Sequence, residues 1–449
     1  MAKRLEAKDR VALAPFAQRS SDATRRHEIE DEGRSFDYRT PFQRDRDRIV
    51  YSRAFRRLRQ KAQAGLLPDY EDHRRNRLTH TLEVAQVSRT IGRALELNED
   101  LVEAVALGHD LGQPPFGAAG QTALDDLLSG ALDGRGGPGL GDLGGFSCGW
   151  QGMRVVDLLE KRYRHPGLNL SDPVREGIVK CSPGRPLPAD EAQGVRTGLP
   201  APYEVEVVIL ADRIATALDD LDDALQARAV EIADVERLTA VRELKRKLGK
   251  GYPPRASRFM KANAIHRGLT HMLVTGAIVA SERSLRRWAA KHEIGDARAF
   301  RKVRDGAVGN QIGMPAAGRR LLEDLEGFLD SRVRRSFEAD RVHARGRRTV
   351  LGLFAAYHAD PSLLEPYVLL RFKELAGVRY LRDLPRLAVE PEISARYRSD
   401  PRFVRVLADY LAGMTDAYAI REHVRLSEIG AIPIPSAEQL RRERPTEEV

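Results

Sequence analysis

The amino-acid sequence predicts an all-α fold. Apolar residues recur with the helical period along most of the chain, the strict alternation of half-buried strands is scarce, and proline- and glycine-rich stretches separate the periodic segments. No internal repeat is visible.

Residues 1–35 are polar and charged and read as an N-terminal arm. From Arg39 onward the helical period dominates, and YSRAFRRLRQ (51–60) reads as a short basic helix. Val84, Val87, Ile91 and Leu95 line one face of a helix that carries His80 at its middle. Asn98 followed by Glu99 and Asp100 marks a helix start, a capping amide ahead of acids at the positive dipole end. Val102, Val105 and Ala106 extend that helix to His109, and Pro114 and Pro115 stop it. Residues 129–145 are glycine-dense and read as a flexible loop; residues 182–202, with five prolines, read as a second loop. Gly152–Arg164 reads as a helix between them, and Val205, Val208, Ile209, Asp212, Ala215 and Leu218 define another that runs to about Ala229. Helical stretches and charged turns alternate from there on. The expected organisation is an arm (1–35), a helical body (36–235) and a helical C-terminal region (236–449).

The 449 residues are 42% hydrophobic and 31% charged, enough apolar material for a large core. No apolar run is long enough to span a bilayer, and the N-terminal residues lack the apolar stretch of a secretory signal. Two cysteines make no disulfide framework, so a cytoplasmic location is expected. A net charge of +9 suits anionic partners without choosing between nucleotide and nucleic acid. A solvated basic surface accounts for it equally well.

The sharpest local signal is His109-Asp110 in ALGHDLGQPPFG. An adjacent His and Asp at a helix end reach one cation together if the helix breaks just after them, and Gly112, Pro114 and Pro115 supply the break. His80 in RLTHTLEV and Asp212 in ILADRIA complete a set of two imidazoles and two carboxylates. Such a mixed set suits Mn²⁺, Mg²⁺ or Fe²⁺ rather than structural zinc. Taken singly, each histidine has an ordinary alternative as a satisfied core residue, and Asp212 as a cap or ion-pair partner. Arg77 lies one turn before His80 on the same face, Arg213 follows Asp212, and Arg53, Arg56 and Arg57 stand in the basic helix; guanidinium groups recognise phosphate oxygens bidentately. In the acidic cluster Asp219, Asp220, Asp222 and Asp223, most members read as solvated surface, whereas Asp220, two turns after Asp212 on nearly the same face, is a candidate to point into the cleft.

Six stretches in order resemble the dGTPase-like deoxynucleoside triphosphate triphosphohydrolases of the HD superfamily: RTPFQRDRDRIVYSRAFRRLRQKAQ (39–63), RNRLTHTLEVAQVSRTIGRAL (75–95), LVEAVALGHDLGQPPFGAAGQTAL (101–124), GLNLSDPVREGIVK (167–180), LADRIATALDDLDDAL (210–225) and DYLAGMTDAYAI (409–420). The resemblance implies an HD-domain helical bundle with a helical C-terminal part. It also implies hydrolysis of a deoxynucleoside triphosphate to deoxynucleoside and triphosphate by attack of metal-activated water on the α-phosphorus. By matched position, it implies His80, His109, Asp110 and Asp212 as metal ligands, Gln63 and Asp220 near the sugar and Arg77 near the phosphates. Deoxynucleoside triphosphates are then the expected partners, with homo-oligomers and single-stranded nucleic acid as further family traits; the arginine-rich run 332–348 is the part of this chain suited to the latter.

The sequence departs from the family pattern at its chemistry. Ala118 and Gln121 stand where a proton-managing His and Glu are usual, Gln113 where a phosphate-contacting His is common, Cys148-Gly149 for His-Asn, and Thr216 for a tyrosine that packs against the nucleotide. Trp150 beside them is a candidate base-stacking group or loop packing. Alanine donates no proton, so either another group such as His73 substitutes, or a different phosphate ester is hydrolysed, or the chain binds and senses nucleotide or nucleic acid without turnover.

Overall fold

The computed structural model describes residues 12–28, 38–63, 75–134, 137–182, 184, 194–196, 198–252, 256–307 and 309–427. Regular structure among these is helical, and β-pairing is confined to isolated bridges such as Ala62 with Asn76. The first helices are α1 Pro41–Val50, α2 Arg53–Arg57, α3 Arg77–Ala94, α4 Glu99–Gly108, α5 Ala118–Leu128, α6 Cys148–Arg154, α7 Asp172–Cys181 and α8 Tyr203–Gln226. They are followed by α9 Ile232–Val235, α10 Thr239–Leu248, α11 Arg258–Lys291, α12 Ala297–Ala307 and α13 Ala316–Leu329. The last are α14 Phe337–Ala359, α15 Pro366–Ala376, α16 Arg386–Glu392, α17 Pro401–Ala412 and α18 Asp416–Ser427. The all-α expectation holds. No helix among the described residues is long and apolar enough to cross a membrane.

Local chemistry fixes several helix starts. Thr40 and Gln43 form a reciprocal capping box with Pro41 at the first helical position of α1. Asn76 caps α3 by accepting from Thr79 N at 3.0 Å, and Asn98 caps α4 by accepting from Leu101 N at 3.2 Å. The Asn76 cap starts α3 so late that His80, expected at mid-helix, lies in its first turn. The helix expected at Gly152–Arg164 starts instead at Cys148, because Ser147 accepts from Trp150 N at 3.2 Å. It then opens into a π-helical turn over Val155–Leu159. The helix expected to reach Ala229 ends at Gln226.

Helix α4 is the hub of the first half. It packs against α1, α3, α7 and α8, and Leu101, Val102, Ala104, Val105 and Ala106 on it are fully buried. Each large side chain among them contributes roughly 1.5–3 kcal/mol by leaving water. The larger apolar cluster extends from Ala17 through α8 and α11 to Val333. A second gathers Leu124 and Leu127 of α5 with Phe354, Phe372, Tyr397, Phe403 and Leu407 of the C-terminal helices. Helix α5 thus ties the C-terminal helices to the turn that follows His109. A buried bidentate pair, Arg154 to Asp409 at 2.8 Å through both oxygens, makes a second tie.

Gly112 lets the two halves of the site approach. A Cβ there would stand 2.1 Å from both Cys148 O and Gly152 N, so the backbone of α6 lies directly on the turn after Asp110. Gly112→Ala is expected to lower stability by about 1–3 kcal/mol through overpacking. An unchanged denaturation midpoint would show that α6 does not seat against this turn.

Candidate metal centre

Three elements converge on one buried point. His80 comes from the first turn of α3, His109 and Asp110 from the end of α4, and Asp212 from the middle of α8. One ligand atom each of His80, His109 and Asp110 lie within 4.8 Å of one another. Asp212 joins through the imidazoles, its Oδ1 standing 3.0 Å from His80 Nε2 and 3.7 Å from His109 Nε2. His80, His109 and Asp110 are each at most 3% exposed, whereas the Asp212 side chain is 29% exposed and marks the open side.

The second ring nitrogens explain the ring orientations. His80 Nδ1 pairs with Asp219 Oδ2 at 2.8 Å, and His109 Nδ1 with Ala106 O at 2.6 Å. With Nδ1 so engaged, Nε2 of each ring is the nitrogen turned to the shared point, the arrangement that outer partners impose on metal-ligating histidines. His109 Nε2 is buried and has no hydrogen-bond partner among the described residues. A buried nitrogen without a partner is costly, and a divalent cation at this point would satisfy it.

The electrostatics agree. Burial opposes a charge on His80, but its hydrogen bonds to Asp212 and Asp219 outweigh it and raise its pKa to about 10. Burial likewise opposes the carboxylate of Asp110, yet Arg77, then His109 and His80, hold it well below the usual range. Asp212 is also held low against burial, by its hydrogen bond from His80 and the charge of His109. The pocket therefore favours positive charge, and the residue set fits a hard or borderline divalent cation.

The surroundings distribute the other expected residues. Arg77 donates from Nη1 to Asp110 Oδ2 at 2.9 Å, and its Nη2 lies beside Gly117, where the glycine's φ of +53° and missing Cβ leave it room. Gln63 has its Oε1 buried without a partner among the described residues. Gln113 belongs to the turn after Asp110. Asp220 is 5% exposed and accepts from Arg334 at 2.7 Å, which draws part of the basic run 332–348 into this region. Arg347 of the same run pairs with Asp126 at 2.6 Å. Arg213 donates from both Nε and Nη2 to Glu326 at 2.7 Å, so this fork is filled by a carboxylate. The acidic cluster differs from expectation. Asp222 and Asp223 surround Arg75 at 2.7 and 3.0 Å with Asp219 at 3.4 Å, a largely buried network rather than a solvated face. Arg57 donates to Gly413 O at 3.0 Å, while Arg53 and Arg56 are exposed.

Of the residues expected to differ from the family pattern, Gln113 lies in the turn after Asp110, Ala118 and Gln121 at the start of α5, Cys148 on α6 and Thr216 on α8. Ala118 is the exposed first residue of α5. Cys148 Sγ donates to Gln121 Oε1 at 2.9 Å, and burial pushes the thiol up to about 12, so it is not a nucleophile. Trp150 is 4% exposed with the Arg405 guanidinium 4.1 Å above its ring, so neither face is open for base stacking. The described part of the glycine-rich loop is tied down, Asp133 accepting from Gly139 and Gly141 and Arg405 donating to the carbonyls of Leu143 and Gly145. Thr216 donates to Asp212 Oδ1 at 3.3 Å. His73 and most of the 182–202 loop lie outside the described residues.

Sequence reasoning missed Asp219 as the partner of His80. The signal was its position seven residues after Asp212, two turns on along the same face. Asp219→Ala is expected to weaken divalent-cation binding by about 10–100-fold. Calorimetric titration with Mn²⁺ measures it, and affinity equal to wild type would remove Asp219 from the site.

Comparison with known proteins adds an independent line. A family profile described as HD domain matches residues 77–135, which hold Arg77, His80, His109 and Asp110. A second, described as phosphohydrolase-associated domain, matches residues 373–425. A deoxyguanosinetriphosphate triphosphohydrolase-like protein of Syntrophus aciditrophicus is 36% identical over 429 residues, covering 94% of this chain and 96% of its own. Proteins of the same description from Azoarcus sp. and Nitrosomonas europaea are each 35% identical, over 95% and 93% of this chain and 100% and 98% of their own. Identity of this extent over nearly the whole length, together with the HD-domain match, places the chain in the deoxyguanosinetriphosphate triphosphohydrolase-like family.

Proposed function

We propose that this protein is a metal-dependent phosphohydrolase of deoxynucleoside triphosphates, dGTP-like in preference, that releases deoxynucleoside and intact triphosphate. The observation that carries the reading is the convergence of both histidine Nε2 atoms with Asp110 and Asp212 at one buried point with one open side. His80, His109, Asp110 and Asp212 would hold the cation, Mn²⁺ or Mg²⁺ in the first instance and Fe²⁺ as a further candidate. When bound, the cation supplies Lewis-acid polarisation of a phosphoryl oxygen and makes a water more acidic.

The chain's own residues do the rest. Arg77 holds Asp110 ionised and offers Nη2 toward the turn at Gly117, where a phosphate oxygen would be met by a charge-assisted hydrogen bond. Gln63 offers an unpaired amide oxygen, an acceptor suited to a sugar hydroxyl. Asp220, oriented by Arg334, offers a second such acceptor. Neither Ala118 nor Gln121 can deliver a proton to the leaving oxygen, so turnover is slow relative to members that keep the His and Glu.

A second reading rests on that same observation. The Cys148 thiol occupies the Gln121 carbonyl, and neither Gln121 nor Ala118 is an ionisable group that could transfer a proton. A chain so built binds nucleotide with little turnover and acts as a nucleotide-sensing module; binding of single-stranded nucleic acid and homo-oligomer formation are further traits proposed with either reading.

Product analysis after incubation with each deoxynucleoside triphosphate and Mn²⁺ or Mg²⁺ separates the readings. Slow release of deoxynucleoside and triphosphate is expected, abolished by chelation. Saturable nucleotide binding with no product selects the sensing module, and absence of both binding and product contradicts both readings. Ala118→His with Gln121→Glu is expected to raise kcat by about 10²–10⁴-fold if the cleft otherwise positions substrate. No gain in kcat would show that more of the cleft than these two positions has changed.

A further inference from the structure

Two charged side chains, Asp416 and Lys61, join the C-terminal helices to the backbone of the cleft. Asp416, at the start of α18, accepts from Ala62 N through Oδ2 at 3.0 Å and from Phe116 N through Oδ1 at 2.9 Å. The segment 61–63, which ends in Gln63, and the PPFG turn therefore hang from one carboxylate. Lys61 ties the same pieces in the opposite sense. Its buried Nζ donates to Ala412 O at the end of α17, at 2.9 Å, and to Gln113 O in the turn after Asp110. Arg57 adds a bond to Gly413 O at 3.0 Å. The carbonyl of Lys61 accepts from Arg77 N at 2.9 Å, so the segment is also joined to the first residue of α3.

The backbone at the PPFG turn shows why such a clamp is required. Phe116 has φ +62° and Gly117 φ +53°. The left-handed conformation at a bulky residue such as Phe116 is costly and persists only where its surroundings impose it. Asp416 fixes the N–H of Phe116 itself, and Gly346 leaves room for the ring, since a Cβ there would stand 2.7 Å from Phe116 Cβ. The turn so held places Gly117 beside the Arg77 guanidinium and starts α5 at Ala118.

We propose that Asp416 and Lys61 are positioning residues through which the C-terminal helices set the cleft, Asp416 gripping the amides of Ala62 and Phe116 and Lys61 the carbonyls of Gln113 and Ala412. The consequence for ligand binding rests on the nucleotide reading above; the clamp itself does not. Asp416→Asn replaces a two-oxygen acceptor by one oxygen and one donor group, so one of the two amides must lose its partner. Lys61→Met keeps the volume of a buried chain while releasing both carbonyls. Neither change touches the four residues at the cation point.

The experiment compares wild type, Asp416→Asn, Lys61→Met and, as a control in the same helices, Glu392→Gln, which weakens the ion pair to Arg379. Hydrogen-exchange mass spectrometry follows peptides covering Ala62 and Phe116, and calorimetry follows Mn²⁺ and dGTP. Expected in Asp416→Asn is exchange about tenfold faster in at least one of the two peptides, the loss of one hydrogen bond to a charged acceptor. Lys61→Met is expected to speed exchange in the same peptides. In both, dGTP affinity falls about tenfold while Mn²⁺ affinity stays within about threefold. The control changes thermal stability alone. Unchanged exchange in both peptides in both variants, or an equal change in Glu392→Gln, overturns the clamp. Absence of dGTP binding in the wild type defeats the nucleotide reading, and the exchange rates still decide the clamp.

Discussion

The imidazoles of His80 and His109 can share one point only because each has its other nitrogen engaged by a fixed partner, Asp219 for one and the Ala106 carbonyl for the other. That constraint reaches outward. The carbonyl of Ala106 lies in the last turn of α4, and α4 sits where it does because its apolar residues are buried against α1, α3, α7 and α8. Asp219 lies on α8 and is flanked by Arg75, whose charge is shared with Asp222 and Asp223. Two carboxylates and two imidazoles in so little space carry a large desolvation cost unless positive charge is supplied. Arg77 supplies part of it to Asp110; a cation at the shared point would supply the rest.

The four converging side chains and the pair Ala118 and Gln121 occupy different parts of the cleft. The cation point is built from α3, α4 and α8, inside the larger core. Ala118, Gln121 and Cys148, three of the residues expected to differ from the family pattern, sit at the junction of α5 with α6, where Ala118 is exposed and Gln121 meets the Cys148 thiol; Thr216, a fourth, donates to Asp212 beside the cation point. Change at that junction leaves the buried ligand set in place, because no described hydrogen bond links Ala118 or Gln121 to those four residues.

Much of this was legible in the sequence, for physical reasons that differ by residue. The helix carrying His109 at its end was readable because Asn98, Glu99 and Asp100 announce its start, which local capping decides, and Pro114 and Pro115 bar it from continuing. His80, His109, Asp110 and Asp212 were readable as a set because ligand chemistry restricts which residue types can serve. Adjacency of Arg213 to Asp212 says nothing of direction on a helix: neighbours in sequence point about 100° apart, and Glu326 takes its guanidinium. Asp222 and Asp223 were misread as solvated because Arg75, which neutralises them, is distant in sequence. Asp416 and Lys61 left no local signal at all, since backbone amides and carbonyls are their partners and any residue would provide those.

The central claim is a single cation gripped by four side chains from three helices. Crystals grown with Mn²⁺ and measured at an energy where manganese scatters anomalously test it directly. The account predicts one strong anomalous peak roughly 2.0–2.4 Å from His80 Nε2, His109 Nε2, an Asp110 oxygen and an Asp212 oxygen. A peak elsewhere, or none at this point with Mn²⁺ in excess, would contradict it.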